Sequence, residues 1–284
     1  MGTLYIVATP IGNLEDITAR AVRVLGEVDL IAAEDTRHSR GLLTHFNIKT
    51  PMFSCHKFNE GKRGDFFVEK LLEGKSIALI SDAGTPCISD PGDRLVAAAA
   101  EAGVQVVPVC GASAVIAALS VSGFDTSRFA FIGFLPRGKN AVSGLAETLT
   151  VVETVVFYES PKRVAAVLSL IMEEIPAADL CICNDISKKF ERIYRGTAKE
   201  VLEELSQNPA AEKGEYTCVV HLPKTEKAEA VTEEEISLEA QLMDIMIKHD
   251  CTLKDASRLL HEANAKLSKK EIYAAMLRVK ACLS

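Results

Sequence analysis

Leu79-Ile-Ser-Asp-Ala-Gly-Thr-Pro86 and, a few residues on, Asp90-Pro-Gly-Asp93 mark where an apolar strand ends and a helix begins. A short apolar run that stops abruptly in an acid, two small residues and a proline is how a buried strand leaves a sheet and enters a loop. Asp90 then reads as an N-cap and Pro91 as the first residue of a helix running from Arg94 to Ala102. Strand, loop and helix in that order form the repeating unit of a parallel α/β sheet.

The same rhythm extends in both directions. Residues 1–118 offer apolar, β-rich runs at 3–8, 28–33, 52–55, 76–81 and 104–109 with helical patterns between them, which predicts a parallel sheet. The composition shifts between Ser120 and Lys139, where Gly123, Asp125, Gly133, Pro136 and Gly138 punctuate two aromatic-rich pieces. A second α/β unit is expected beyond, with strands at 129–133, 154–158, 179–184, 190–195 and 216–222 and helices near 161–174 and 197–207. Lys224 to Glu235 is polar and without apolar period, which reads as a linker. Three helical patterns follow at 236–249, 252–264 and 268–281, with Thr252 and Ser268 as caps. The predicted organisation is an α/β domain over 1–118, a second over 119–223, a linker over 224–235 and a helical tail over 236–284.

Composition narrows the class. At 284 residues, 48% hydrophobic and 25% charged, the chain is too long for one small core. No run approaches the roughly 18 to 20 apolar residues of a membrane helix, and the N-terminus passes straight into a strand, so a cytoplasmic location is expected. Eight cysteines include no Cys-x-x-Cys, which favours buried reduced thiols over zinc or disulfides. A net charge of −7 means that any nucleic-acid surface must be local. Candidate basic stretches are Arg137 with Lys139, Lys162 with Arg163, the run Lys188, Lys189, Arg192 and Arg195, and the tail residues Lys266, Lys269, Lys270, Arg278 and Lys280.

Thr9-Pro-Ile-Gly-Asn13 stands after the first strand, where a Gly-x-Gly-x-x-Gly dinucleotide fingerprint would be, and no phosphate-binding Walker loop occurs. Polar and small residues gather instead at the carboxyl ends of four strands: Pro10 and Gly12; Glu34, Asp35 and Arg37; His56, Asn59 and Glu60; and Asp82 to Pro86. In an open parallel sheet that edge is where ligands bind. Taken singly, Asp35 and Asp82 read equally as helix caps and Arg37 as a surface ion pair. Carboxylates, an arginine and a histidine converging on one edge point to a functional cleft.

Four runs, Tyr5-Ile-Val-Ala-Thr-Pro-Ile-Gly-Asn-Leu-Glu-Asp-Ile17, Asp29-Leu-Ile-Ala-Ala-Glu-Asp-Thr-Arg-His38, Leu79-Ile-Ser-Asp-Ala-Gly-Thr-Pro86 and Phe157-Tyr-Glu-Ser-Pro161, resemble the ribosomal RNA small-subunit methyltransferase I family within the tetrapyrrole methylases. The resemblance covers essentially the whole chain, including Lys213-Gly-Glu215 and the helical tail. It implies two α/β domains gripping S-adenosylmethionine in the cleft between them, a homodimer, and methylation of a cytidine ribose 2'-hydroxyl in 16S ribosomal RNA of the small subunit; the transfer itself needs no metal, while a carboxylate cluster beside RNA leaves recruitment of magnesium open. Carried over residue by residue, Pro10, Asp82, Ala83, Gly84, Ser113, Ala114 and Tyr158 are expected to meet the cofactor. Cys110-Gly-Ala-Ser-Ala114, His56-Lys-Phe-Asn-Glu60 and Asn184-Asp-Ile-Ser187 depart from the family's usual Pro-Gly-Pro-Ser-Ala, His-Asp-His-Asn-Glu and Arg-Glu-Leu-Thr.

That chemistry is an in-line displacement at a sulfonium methyl carbon, in which alignment supplies much of the rate. The 2'-hydroxyl is a weak acid, so a carboxylate or imidazole has to take its proton. Glu34, Asp35, His56 and Glu60 are the candidates, with Glu34 and Glu60 favoured, and Arg37 suits an RNA phosphate. The alternatives are methylation of a tetrapyrrole such as a precorrin, on a shared scaffold, and a non-catalytic RNA-binding protein that keeps the fold. The tail, with its own helical period and five basic residues against the single acid Glu271 over 266–280, is expected to hold the ribosomal substrate.

Overall fold

Ile77–Ile80 is apolar and buried at every position, as a strand covered on both faces must be. In the computed structural model, which describes residues 1–56, 60–223, 237–249, 251–263 and 267–283, this strand is the centre of a five-stranded parallel sheet. Its strands are β1 (Thr3–Val7), β2 (Leu30–Ala33), β3 (Met52–Ser54), β4 (Ile77–Ile80) and β5 (Gln105–Val109), in the order β3-β2-β4-β1-β5. The connecting helices are α1 (Ala19–Glu27), α2 (Thr36–His45), α3 (Glu60–Leu72) and α4 (Asp93–Glu101). Alternation along β4 divides two cores. Ala78 and Ile80 join Leu25 and Ile31 on one face, while Ile77 and Leu79 join Phe67, Leu71 and Leu95 on the other.

The reading of Asp90 as a cap is overturned. The helix α4 starts at Asp93, with Gly92 as its N-cap at φ 129° and no side-chain cap bond. Gly92 is packed so closely that an added Cβ would lie 2.6 Å from Leu79 Cδ2 and 2.9 Å from Cys87 Sγ. The chain reaches it through left-handed Cys87 (φ 70°) and Ser89 (φ 65°), so Pro91 precedes the helix instead of starting it.

A fifth helix, α5 (Ala114–Ser122), follows β5, and its Val115, Ala118 and Leu119 pack on the second sheet against Val156, Cys181, Cys183 and Val219. The domain boundary expected after residue 118 therefore falls inside a helix. The second sheet comprises β6 (Phe129–Phe134), β7 (Thr154–Glu159), β8 (Asp179–Asn184), β9 (Arg192–Thr197) and β10 (Tyr216–His221), in the order β6-β7-β10-β8-β9. Only β6 and β7 are parallel; the other pairs are antiparallel. The pairing of β6 with β7 slips at a bulge between Phe131 and Phe134, where Gly133 has φ 67°. At the opposite edge the Arg195 guanidinium donates to the Val121 carbonyl at 2.6 Å. Three helices, α6 (Ser143–Val151), α7 (Val164–Glu174) and α8 (Ala198–Ser206), cover the face away from α5. Thr197 and Glu200 form a capping box at the start of α8.

Residues 1–223 make one compact unit and 224–284 another. The second contains α9 (Leu238–His249), α10 (Leu253–Ala263) and α11 (Lys269–Leu283), packed on Leu242, Ala256, Leu260, Ala275 and Val279. The hydroxyls of Thr252 and Ser268 accept the amides of Asp255 and Glu271, the expected caps. The expected linker, 224–235, lies outside the described residues. Among the described residues no helix is long and apolar enough to cross a membrane.

Phe157, fully buried on β7, immediately precedes the cavity-lining run Tyr158 to Pro161. Replacing it with Ala is expected to cost about 3 to 5 kcal/mol, read as a lowered urea midpoint with an unchanged slope.

Candidate functional site

Thr9 and Gly84 exchange two backbone hydrogen bonds, of 2.9 and 3.0 Å, that hold together the loops leaving β1 and β4. The Thr9 hydroxyl adds a third, to the Ser81 carbonyl at 3.2 Å. Gly84 has φ 80°, a conformation that glycine adopts without strain, and an added Cβ would lie 3.3 Å from Ile11 Cγ2. Gly111 brings the following loop equally close, since a Cβ there would lie 2.9 Å from Ala8 Cβ.

These loops wall a cavity of about 430 Å³, within the usual size of small-ligand sites. The first sheet contributes Ile11, Glu34, Asp82 to Thr85 and Ile88 to Asp90, and the start of α5 adds Ser113 and Ala114. The facing wall is Phe134, the run Tyr158 to Pro161, Ile186 and Gly214 to Thr217. Tyr158 lies 5.0 Å from the Phe131 ring and 5.5 Å from that of Phe134, centroid to centroid, giving this side an aromatic surface.

The lining is acidic. Glu34, Asp82, Asp90, Glu159 and Glu215 contribute to it, and among the described residues no Lys, Arg or His joins them in the lining itself. Burial raises the Glu34 carboxyl, partly offset by the Asp82 amide that donates to it at 3.4 Å. The Asp82 carboxylate in turn accepts the Asp35 amide at 3.1 Å, so the ends of β2 and β4 are cross-linked. Asp90 is pushed up to about 6, by burial first and then by Glu34 and Asp82, against a hydrogen bond from Ser81. Burial, with Asp90 and Glu215 nearby, pushes the Tyr158 hydroxyl up to about 12. Such a cavity favours a cationic ligand, which would relieve the repulsion among its acids.

Glu159 is held as a strut. One oxygen accepts the Ser160 amide at 2.7 Å, and the other lies 3.2 Å from Arg163 Nη2 as an ion pair without hydrogen-bond alignment. Arg163 also donates to the carbonyls of Leu135 and Pro136, tying the loop after β6 to the cavity wall. At the rim, Lys188 pairs with Asp185 at 3.0 Å and Glu215 at 2.8 Å, which commits one member of the basic run 188–195 to internal contacts.

Of the residues singled out in the sequence, Glu34, Asp82, Ala83, Gly84, Ser113, Ala114 and Tyr158 line the cavity, whereas the Pro10 between Thr9 and Ile11 does not. Asp35 caps α2 by accepting the Arg37 amide and pairs with its guanidinium at 2.8 Å, which holds the carboxyl at about 2. Arg37 is 88% exposed, and neither residue lines the cavity. His56 follows β3 at the sheet edge, also outside the lining, and Glu60 is the first residue of α3, its side chain outside the described residues. Asp90, Glu159, Glu215 and Phe134 line the cavity although their own segments do not mark them as site residues. Glu159 and Glu215 sit within the runs that carry the family resemblance, and Asp90 has the local look of a cap. Among the described residues no cluster of three or more His, Cys, Asp or Glu is placed to hold a metal ion.

The family model for Tetrapyrrole (Corrin/Porphyrin) Methylases matches residues 3–202. Ribosomal RNA small subunit methyltransferase I of Synechocystis is 42% identical over 283 residues, which span 99% of both chains. The protein of the same name from Halalkalibacterium halodurans is 46% identical over 220 residues, 77% of this chain and 75% of that one. Among solved structures, diphthine synthase superposes with a TM-score of 0.60 at 15% identity, over 78% of this chain and 90% of that one. Uroporphyrin-III C-methyltransferase from Thermus thermophilus, complexed with S-adenyl homocysteine, gives 0.55 at 16% identity, over 78% and 97%. These structural likenesses are of fold, and the sequence relatives are the more specific. The chain belongs to the ribosomal RNA small subunit methyltransferase I family, within the tetrapyrrole methylases.

Proposed function

We propose that this chain transfers the methyl group of S-adenosylmethionine to the ribose 2'-hydroxyl of a cytidine in 16S ribosomal RNA, acting in the cytoplasm as a homodimer. The observation that carries the reading is the acidic cavity, joined to the family's near full-length sequence match. The donor's sulfonium and ammonium groups are cations that the lining acids would balance, and its adenine would find apolar surface on the aromatic side. Asp82, Ala83, Gly84, Ser113, Ala114 and Tyr158 would hold it, with Pro10 bracing the loop. When bound, S-adenosylmethionine supplies an electrophilic methyl group.

The chain's own residues do the rest. Small side chains at Ala83, Gly84 and Ala114 let backbone approach the ligand closely. Ile11, Ile88 and Phe134 present apolar surface that excludes water. The buried carboxylates provide a proton acceptor for the 2'-hydroxyl, and Arg37, exposed beside Asp35, would clamp an RNA phosphate through its planar fork. The helical unit beyond residue 223 would add phosphate contacts through its lysines. Arg278 contributes less there, because it is paired with Glu239.

Mapping ribose methylation in small-subunit RNA from cells with and without the gene tests the reading, with loss of one cytidine 2'-O-methyl as the expected result. An assay that offers a precorrin beside the ribosomal subunit separates this activity from tetrapyrrole methylation. Gly84→Val, which places a branched side chain against Ile11 at a positive φ, is expected to abolish S-adenosylmethionine binding by calorimetry while circular dichroism stays unchanged. A chain ending at Lys224 is expected to keep cofactor affinity and to bind the small subunit with a flatter salt dependence. The slope of log affinity against log salt falls by about 0.7 to 0.9 for every phosphate that the shortened chain no longer neutralises.

A further inference from the structure

The loop between β4 and α4 follows an improbable path. Cys87 and Ser89 are left-handed without being glycine, and Gly92 is left-handed with no room for a side chain. Such conformations persist only where the surroundings fix them, and they concentrate at functional sites. Here the fixing contacts are Gly92 against Leu79 and Cys87, and the Thr85 hydroxyl on the Ala112 carbonyl at 3.1 Å. The path leaves Asp90 half-buried on the cavity wall, relieved of the helix cap by Gly92 and with no cation in the lining beside it. Glu34 and Asp82 from the first sheet, Tyr158 from the second and the Ser81 hydroxyl are the polar groups that face it.

We propose that Asp90 accepts the 2'-hydroxyl proton during methyl transfer. The assignment rests on the functional reading above. In the step, a ribose oxygen lone pair forms the new O–C bond, the C–S pair leaves with sulfur as a neutral thioether, and the hydroxyl proton passes to the Asp90 carboxylate. Glu34 is less suited, because the donor it accepts is the fixed Asp82 amide, whereas the Ser81 hydroxyl that serves Asp90 can turn to the Ala83 carbonyl at 3.3 Å, and Asp35 is committed to Arg37. A carboxyl held near 6 is ionised at neutral pH yet far more basic than an ordinary aspartate, the compromise that general-base catalysis needs.

The test compares Asp90→Asn with the parent and with Glu34→Gln, using small subunits and S-adenosylmethionine in single turnover. Asp90→Asn is expected to lower the rate by about 10²- to 10⁴-fold, to abolish the fall in rate below about pH 6, and to leave cofactor affinity within about threefold. Glu34→Gln is expected to retain that acid limb. The ligand-free protein gives a second readout. Because the folded-state value is raised above the ordinary one, the stability that the neutral carboxyl contributes is complete below about 3.9 and lost as pH rises through about 6. The melting temperature of Asp90→Asn should therefore match the parent near pH 4 and exceed it near pH 8. An Asn variant with parental turnover, a loss of activity matched by a loss of cofactor affinity, or equal melting temperatures at pH 8 overturns the proposal. A parent enzyme that transfers no methyl group to the small subunit overturns the functional reading and this assignment with it. A competent parent beside an unimpaired Asn variant overturns the assignment alone.

Discussion

The two hydrogen bonds between Thr9 and Gly84 are the constraint from which the site follows. Parallel strands β1 and β4 are neighbours in the sheet, but their outgoing loops would diverge toward separate helices without a tie. The bridge forces both loops to share one edge, which brings Ile11 from one beside Ala83 and Gly84 from the other. With that edge closed, α5 can cross to the second sheet and carry Ser113 and Ala114 into the same wall. The cavity is then a product of topology, in that each side is built where a strand ends.

Its electrostatics run against stability. Several carboxylates share a partly buried space, and burial with mutual repulsion raises Glu34 and Asp90 above ordinary values. A fold selected only for stability would neutralise or pair them. Glu159 shows the contrast, because Arg163 and the Ser160 amide serve it and the trio braces the loop after β6. A cation bound as proposed would relieve the repulsion among Glu34, Asp82 and Asp90, and that relief would add to the free energy of ligand binding.

Periodicity made much of this architecture legible. All ten strands fall on or beside the expected runs, because a buried strand needs continuous or alternating apolar residues and few other segments offer them. What stayed hidden depends on residues far apart in the chain. Asp-Pro-Gly-Asp has the local signature of a helix start, and only packing against Leu79 and Cys87 moves the cap to Gly92. Nothing local tells that α5 belongs to the second sheet, or that β8, β9 and β10 pair antiparallel. Glu34, Asp82 and Tyr158 were readable as site residues from strand ends and from the family's motifs. Phe134 was not, since nothing in its own segment shows that it faces a loop from the other sheet, and Glu215 lay within a family run without being marked as a site residue. Asp35 and Arg37 satisfy each other locally, as the plainer reading of an i, i+2 acid and base allowed.

The bulge at Gly133 is one of four different ways in which the ends of these two sheets are blunted. On β6 it breaks the regular row of donors and acceptors, on β5 Pro108 removes a donor, β3 is only three residues long, and on β9 Arg192 and Arg195 place charge along the edge. A passing extended segment therefore finds no long, flat, uncharged edge to pair with. These two sheets are thereby protected against adventitious β-association, and a macromolecule approaching them meets side-chain surfaces and helices more readily than a free strand edge.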